Sequence, residues 1–238
     1  ESFVSADAVA APWVLPTAPV ALPEVLPGET HNMTSAARGP LAPQTTVTVN
    51  GNIGAGEYGA HVDGQNQQTN GATTAFMTWD ATNLYVAYAG ANTTEGVVVY
   101  LDINPIVPAN GGTNVNGNLT GQTYDGTSFS ALPFRADFVT YFKNGYREYR
   151  TADGSGGWSG ATAGFGSYAE SDGNTRELAI PWSALGGQPA RFTFFAYATS
   201  GAGFVYGQVP TGNAGGTIGT RGAFHSGGKI WRMANDKA

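Results

Sequence analysis

The 238-residue chain contains no cysteine, and charged residues make up only 12% of it. The absence of cysteine excludes disulfide bonds, thiolate metal sites and thiol nucleophiles. The formal net charge is −6 and no cluster of basic residues is present, which argues against nucleic acid or an anionic membrane as a partner. No apolar run approaches the roughly 20 residues needed to cross a bilayer, so we expect no membrane-spanning segment.

The residues that are present favour strands and turns over helices. Only three lysines occur, whereas threonine, valine, tyrosine and phenylalanine are prominent and glycine reaches 35. This composition predicts an all-β protein. The chain begins with Glu1 rather than methionine, which favours removal of a targeting peptide. Together with the low charge and the lack of cysteine, this predicts an extracellular or cell-surface location.

Residues 1–45 differ in composition from the rest and are predicted to form an N-terminal arm. Seven of the thirteen prolines lie in it. Five of them recur every three or four residues between Ala11 and Gly28. Because proline lacks a backbone N–H and fixes its φ angle, this spacing prevents helix and interrupts any sheet ladder. The expected conformation is extended and polyproline-like.

The arm also carries large apolar side chains, which a solvated linker does not need. We expect these side chains to contact a protein surface, and they are Phe3, Val9, Trp13, Leu15, Val20, Leu22, Val25 and Leu26. The arm could wrap its own domain or dock on another copy of the chain, adding a strand or filling a groove there. Contacts of the second kind build a filament when they do not close into a ring.

Residues 46–238 are predicted to form one antiparallel β-sandwich of the jelly-roll kind. Short β-type runs alternate with turn signals, as in known sandwiches. The predicted strands cover 45–50, 74–79, 84–89, 97–103, 134–142, 146–151, 177–180, 192–198, 204–209 and 229–233. The run at 97–103 is nearly all apolar and should be central in its sheet. Asn144-Gly145 predicts a tight hairpin, and Pro181 predicts a single helical turn at 182–185.

Four short motifs resemble a known family. They are Val49-Asn50-Gly51-Asn52-Ile53 with Glu57-Tyr58, then Thr78-Trp79-Asp80-Ala81-Thr82-Asn83-Leu84-Tyr85-Val86-Ala87, then Val99-Tyr100-Leu101-Asp102, and last Glu177-Leu178-Ala179-Ile180-Pro181-Trp182-Ser183-Ala184-Leu185-Gly186. Their order and spacing are similar to those of the DOMON-like superfamily, in particular the family 9 carbohydrate-binding modules. The resemblance covers about residues 47–209. It implies a secreted, jelly-roll-like sandwich, with sugar or haem binding in many members and calcium in some.

The candidate ligand contacts are few. Trp158, flanked by glycines, and Trp231 are candidate platforms for a polysaccharide, while Trp79 and Trp182 fall inside the family-like motifs and are expected to pack. Asp102 and Asn104, at the end of an apolar strand, are candidate calcium ligands. Asn32, Asn92 and Asn118 each begin an Asn-x-Thr sequence, the acceptor pattern for N-glycosylation.

Catalytic readings are weaker. Gly54, Gly56 and Gly59 match the dinucleotide fingerprint but are followed by loop-forming residues where that site needs a helix. The three histidines have no metal-ligand spacing, and haem would rest on Met33 or Met77 by default. Carboxylate pairs such as Glu57 with Glu148, or Asp102 with Asp137, are expected by chance among 17 acids. We therefore predict no enzyme. Two hypotheses stay open: a self-assembling structural subunit joined through the arm, and a carbohydrate-binding module.

Overall fold

A computed structural model of the chain describes residues 45–61, 66–103, 116–129, 132, 134–171, 174–189, 192–209 and 216–217. These residues form two antiparallel sheets that pack face to face, which confirms the predicted all-β sandwich. Except for Thr45, the arm lies outside the described residues, as does the strand predicted at 229–233.

Twelve strands and one short 3-10 turn make up the described elements. The strands are β1 (Gln67–Asn70), β2 (Thr73–Trp79), β3 (Asn83–Ala89), β4 (Gly96–Asp102), β5 (Phe138–Lys143), β6 (Tyr146–Thr151), β7 (Thr162–Ala163), β8 (Ser167–Ser171), β9 (Thr175–Pro181), β10 (Thr193–Thr199), β11 (Phe204–Val209) and β12 (Gly216–Thr217). One sheet has the order β1-β2-β3-β9-β8 and the other the order β12-β11-β10-β4-β5-β6-β7. The 3-10 turn, η1 (Trp182–Leu185), follows Pro181 as predicted.

The strongest sequence signals give the best-placed elements. β4 lies in the middle of the seven-stranded sheet and all of its residues are buried, because both faces of that sheet are covered. The β5–β6 hairpin closes with Lys143 opposite Tyr146. Its two turn residues, Asn144 and Gly145, have φ angles of 44° and 78°, which is the left-handed conformation that an Asn-Gly turn supplies.

Some strand predictions were wrong. Residues 45–50 are not in a strand, although threonine and valine alternate there, and residues 134–137 precede β5 instead of belonging to it. The strands β1, β7, β8 and β12 were missed. Their side chains are mostly small or polar, so they carry no alternation of apolar residues, and it is neighbouring strands that make them extended.

The core has three parts. Between the sheets lie large buried side chains, among them Trp79, Phe138 and Phe194. The outer face of the seven-stranded sheet is covered by a second cluster that includes Tyr124 and Phe129, from the irregular segment before β5. The outer face of the five-stranded sheet is covered by residues from the start of the described chain. Over the described ranges, neither sheet therefore presents a bare apolar face.

Candidate functional site

Residues 45–61 form a strap across the outer face of the five-stranded sheet. Val47 and Tyr58 are buried there against Phe76, Tyr85 and Ala179. The backbone N–H of Thr45 donates to the carbonyl of Trp79 at 3.1 Å, which ties the start of the strap to the end of β2. The strap is the covalent connection between the predicted arm and the sandwich.

A buried carboxylate holds the middle of the strap. Glu177 lies on β9 and is 0% exposed. Its Oε2 accepts hydrogen bonds from the backbone N–H groups of Asn50 at 2.9 Å and Gly51 at 2.7 Å. Its Oε1 accepts from the hydroxyl of Tyr58 at 2.8 Å. Three donors thus replace the water that an ionised carboxylate would otherwise need.

The strap can approach the sheet this closely because Gly51 has no side chain. Its φ is 89°, and a Cβ there would lie 2.6 Å from the carbonyl carbon and oxygen of Glu170. Tyr58 is fixed as a neutral donor, since its burial and then the negative charge of Glu177 raise its pKa far above the usual value for tyrosine. The strap is therefore anchored at both ends and at its centre.

A groove runs beside the strap. It has a volume of about 490 Å³, and its lining residues are Val47, Val49, Asn83, Tyr85, Gly166, Ser167, Ala179 and Pro181. The strap forms one wall and the start of β8 forms the opposite wall. Gly166 at the β8 side is confined to glycine, because a Cβ there would lie 1.9 Å from the carbonyl oxygen of Ala179. The groove therefore combines apolar side chains with polar groups.

A larger cleft of about 680 Å³ lies at one end of the sandwich, where β4 and β6 end, β5 begins and η1 lies. Its polar lining includes Arg135, Asp137, Thr151 and Ser183. Asp137 is partly committed to the fold, since its Oδ2 accepts the backbone N–H of Ile103 at 3.0 Å. We call this space the end cleft.

One of the two candidate calcium ligands, Asp102, lies within the described residues, next to Ile103 of the end cleft. Asp102 ends β4 and is 3% exposed, while Asn104 lies outside the described residues. Asp137 is brought next to this strand because its backbone N–H donates to the carbonyl of Leu101 at 2.9 Å. Within the described ranges, no group of three or more histidine, aspartate or glutamate side chains is placed to hold a metal ion.

Of the two candidate sugar platforms, Trp158 lies within the described residues. The Trp158 ring is partly buried, with its centroid 5.8 Å from that of Tyr100, and its indole N–H donates to the carbonyl of Thr120 at 2.9 Å. Only part of this ring can therefore contact a ligand. Trp231 lies outside the described residues. Trp79 and Trp182 are core residues, 0% and 4% exposed, as expected.

The two glycosylation sequences within the described residues differ in exposure. Asn92 is exposed, and its Oδ1 accepts from the backbone N–H and the hydroxyl of Thr94. Asn118 is only 4% exposed and its Nδ2 is buried, so the folded domain does not present it to a modifying enzyme. Glycosylation of Asn118 stays a prediction from its sequence pattern, at a side chain that the folded domain buries. Asn32 lies outside the described residues.

The described geometry does not bring Glu57 and Glu148 together and places no helix after the glycine fingerprint. Glu57 lies in the strap, while Glu148 bonds Tyr124 on the outer face of the other sheet, so this pair is not brought together. Gly54 to Gly59 form successive turns and no helix follows among the described residues, up to His61. Nε2 of His61 accepts the backbone N–H of Tyr58 at 3.0 Å, and Met77 is buried in the core.

Sequence reasoning missed the two buried charges of β9. Besides Glu177, the neighbouring Arg176 is 0% exposed and points between the sheets, where it donates to the carbonyls of Ala91, Asn92 and Glu95. Adjacent charges in a strand point to opposite faces. A charge pair inside an otherwise apolar strand was the available signal, because such charges are retained only where partners satisfy them.

Comparison of the chain with models of protein families, with curated proteins and with solved structures gives no match. Among the described residues, no helix has the length and apolar character required to cross a membrane.

Proposed function

We propose that this protein is an extracellular structural subunit, joined to other copies of itself through its N-terminal arm. The observation that carries the proposal is that the described sandwich covers its own apolar surfaces. The sheets bury each other's inner faces, the strap covers one outer face and the segment before β5 covers the other. The apolar side chains of the arm are therefore surplus to this core.

The attachment of the arm agrees with a load-bearing role. The chain passes from the arm into the strap, and the strap is held by the Thr45–Trp79 backbone bond and by the three donors to Glu177. A tension on the arm would be transmitted to β2 and β9, which are interior strands of their sheet. A solvated linker would not need such an anchor.

Removing residues 1–44 tests the proposal. The cut falls before Thr45 because its N–H bonds Trp79. Electron microscopy of the intact protein should show polymers, and the shortened protein should remain folded and monomeric. A full-length variant with Trp13→Ser, Leu15→Ser and Leu22→Ser keeps the whole arm and loses only three of its apolar side chains. It should also fail to assemble, because the proposed contacts are apolar. Polymers that persist in both variants would refute the proposal.

A second candidate function is carbohydrate binding, which the end cleft favours. Its size suits a small ligand, and Arg135, Thr151 and Ser183 provide the hydrogen-bonding groups that a sugar requires. This function agrees with the resemblance to family 9 carbohydrate-binding modules. Under it, the arm would be a connection to another module.

Affinity electrophoresis in gels that contain soluble polysaccharides tests this second function. Arg135→Ala should reduce the retardation of the protein, and so should Trp158→Ala, which removes the exposed part of that ring. Arg147→Ala is the matched control, because Arg147 bonds the carbonyls of Phe165 and Gly166, which lie outside the end cleft. If no polysaccharide retards the intact protein, carbohydrate binding is rejected.

A further inference from the structure

Among the described residues, β8 is an edge strand of the five-stranded sheet. β8 ends the strand order, and no other described strand pairs with it besides β9. Ser167 and Ala169 lie opposite Ala179 and Glu177, so they share the face on which the strap lies. Within the described part of the chain, the strand therefore offers an unpaired backbone edge, with small side chains on the outer face. Such an edge accepts an added extended segment.

The groove beside the strap continues this edge. Gly166 and Ser167 line one side of the groove, and Val47 and Val49 line the other. An extended segment in the groove would contact apolar side chains on the strap side and backbone groups on the β8 side. A proline-rich segment fits both demands, since its side chains are apolar and its carbonyls need donors.

The arm is the segment of this chain with that chemistry, and it is long enough to reach a neighbour. It has 44 residues before Thr45. At the roughly 3.1 Å per residue of a polyproline helix it would span on the order of 130 Å. A seven-residue strand such as β3 spans only about 23 Å at 3.3 Å per residue. The arm can thus extend across several domain lengths.

The position of Thr45 favours an arm from another copy over the chain's own arm. Val47, only two residues after Thr45, is part of the groove wall. To enter the same groove, the chain's own arm would have to reverse direction just before Thr45. Pro43 and Pro40 favour an extended path there, and the first glycine upstream is Gly39. An arm that arrives from a neighbour needs no such reversal.

We propose that the groove between the strap and β8, together with the open β8 edge, is the acceptor site for the arm of a second copy. This inference rests on the proposed function and adds to it the surface that receives the arm. It makes the contact heterologous, because the arm of one copy meets the sandwich of the next.

A disulfide cross-linking test suits this protein, because its sequence contains no cysteine and every thiol present is an introduced one. Full-length Ser167→Cys protein is mixed with full-length protein carrying one arm substitution, either Trp13→Cys, Val20→Cys or Leu26→Cys. Under mild oxidation, at least one arm position should form an intermolecular disulfide with position 167. The matched control is Ser183→Cys, an exposed residue of the end cleft. We expect at least about tenfold more disulfide at 167 than at 183, because docking raises the local concentration of the arm.

Three results would overturn the inference. The first is equal or greater bonding at position 183. The second is no bonding at position 167 from any arm position. The third comes from a protein that carries both cysteines, the one at position 167 and one in the arm: disulfides that form only within a chain and never between two chains. Electron microscopy of the same samples distinguishes failure of this acceptor site from failure of the proposed function. If polymers form without disulfide bonding at position 167, the acceptor site is refuted and the proposed function is retained. If the intact protein forms no polymers, the proposed function itself is refuted.

Discussion

At the scale of single residues, Glu177 is the side chain on which the strap depends. Replacing it with alanine leaves the N–H groups of Asn50 and Gly51 and the hydroxyl of Tyr58 without their acceptor. Each buried donor left unpaired costs about 1–3 kcal/mol. We expect Glu177→Ala to lower the free energy of unfolding by roughly 3 kcal/mol or more, measured by urea denaturation. Hydrogen exchange should rise first in residues 46–58.

Two further variants distinguish the loss of the hydrogen bonds to Glu177 from the loss of a negative charge in general. Glu177→Gln should have a smaller effect, because its carbonyl can accept the backbone donors and its amide can donate to Tyr58. Glu57→Ala is the control within the strap, since Glu57 accepts from Thr48 and Gly54 at exposed positions. If Glu57→Ala destabilises the protein as much as Glu177→Ala does, the buried anchor does not have the role assigned to it.

Two glycines with similar backbone angles predict different penalties. Gly51 and Gly145 have φ angles of 89° and 78°, but a Cβ at Gly145 would meet nothing within 4 Å. Gly145→Ala should therefore incur only the backbone strain, about 1 kcal/mol. Gly51→Ala adds a collision with the backbone of Glu170, and we expect it to destabilise the protein by a clearly larger amount. Equal melting temperatures for the two variants would contradict the close packing of the strap.

At the scale of elements, short runs of apolar and β-favouring residues made β2, β3, β4, β9, β10 and β11 predictable, and an Asn-Gly pair made the β5–β6 hairpin predictable. The same signal failed at residues 45–50, where valines alternate although the segment lies over a sheet instead of inside one. β8 was missed because its identity depends on pairing with β9. The groove was equally hidden from the sequence, since its walls are about 120 residues apart along the chain.

The contact between β6 and the segment that covers the seven-stranded sheet should make the stability of the protein sensitive to acid. Glu148 of β6 is 6% exposed and accepts hydrogen bonds from Tyr124, Tyr146 and Arg150. Burial alone would raise the pKa of Glu148, but these bonds outweigh it and hold the pKa below its usual value near 4.5. A carboxyl group with a lowered pKa in the folded state stabilises the protein above its unfolded pKa, and this contribution is lost as the pH falls towards the folded value.

Glu148→Gln measures this contribution. At pH 7 the variant should be less stable than the parent protein, because it lacks the charge-assisted bonds. Between about pH 5 and pH 3 its stability should fall less steeply, since one titrating group has been removed. Urea denaturation at several pH values gives both quantities. Parallel pH profiles for the two proteins would show that Glu148 does not contribute to acid sensitivity.

At the scale of the whole molecule, irregular segments cover the outer faces of both sheets, and the described residues leave the β8 edge, the groove and the end cleft uncovered. The strap begins at Thr45 beside Trp79, and the backbone N–H of Trp182, the first residue of η1, donates to the carbonyl of Thr82 in the turn that follows β2. Thr45, the residue to which the arm is joined, and the end cleft therefore lie at the same end of the sandwich.

This arrangement predicts that the arm contributes to assembly and not to the stability of its own domain. Protein that lacks residues 1–44 should unfold with the same free energy and the same urea m-value as the full-length monomer at a concentration too low for assembly. The reason is that the m-value follows the surface exposed on unfolding, and residues after the arm form the described core between the sheets. A lower m-value and a lower free energy in the shortened protein would mean that the arm packs on its own sandwich, and trans docking would then be excluded. Assembled full-length protein should instead resist urea more strongly as its concentration rises, because binding to the folded state stabilises it by mass action.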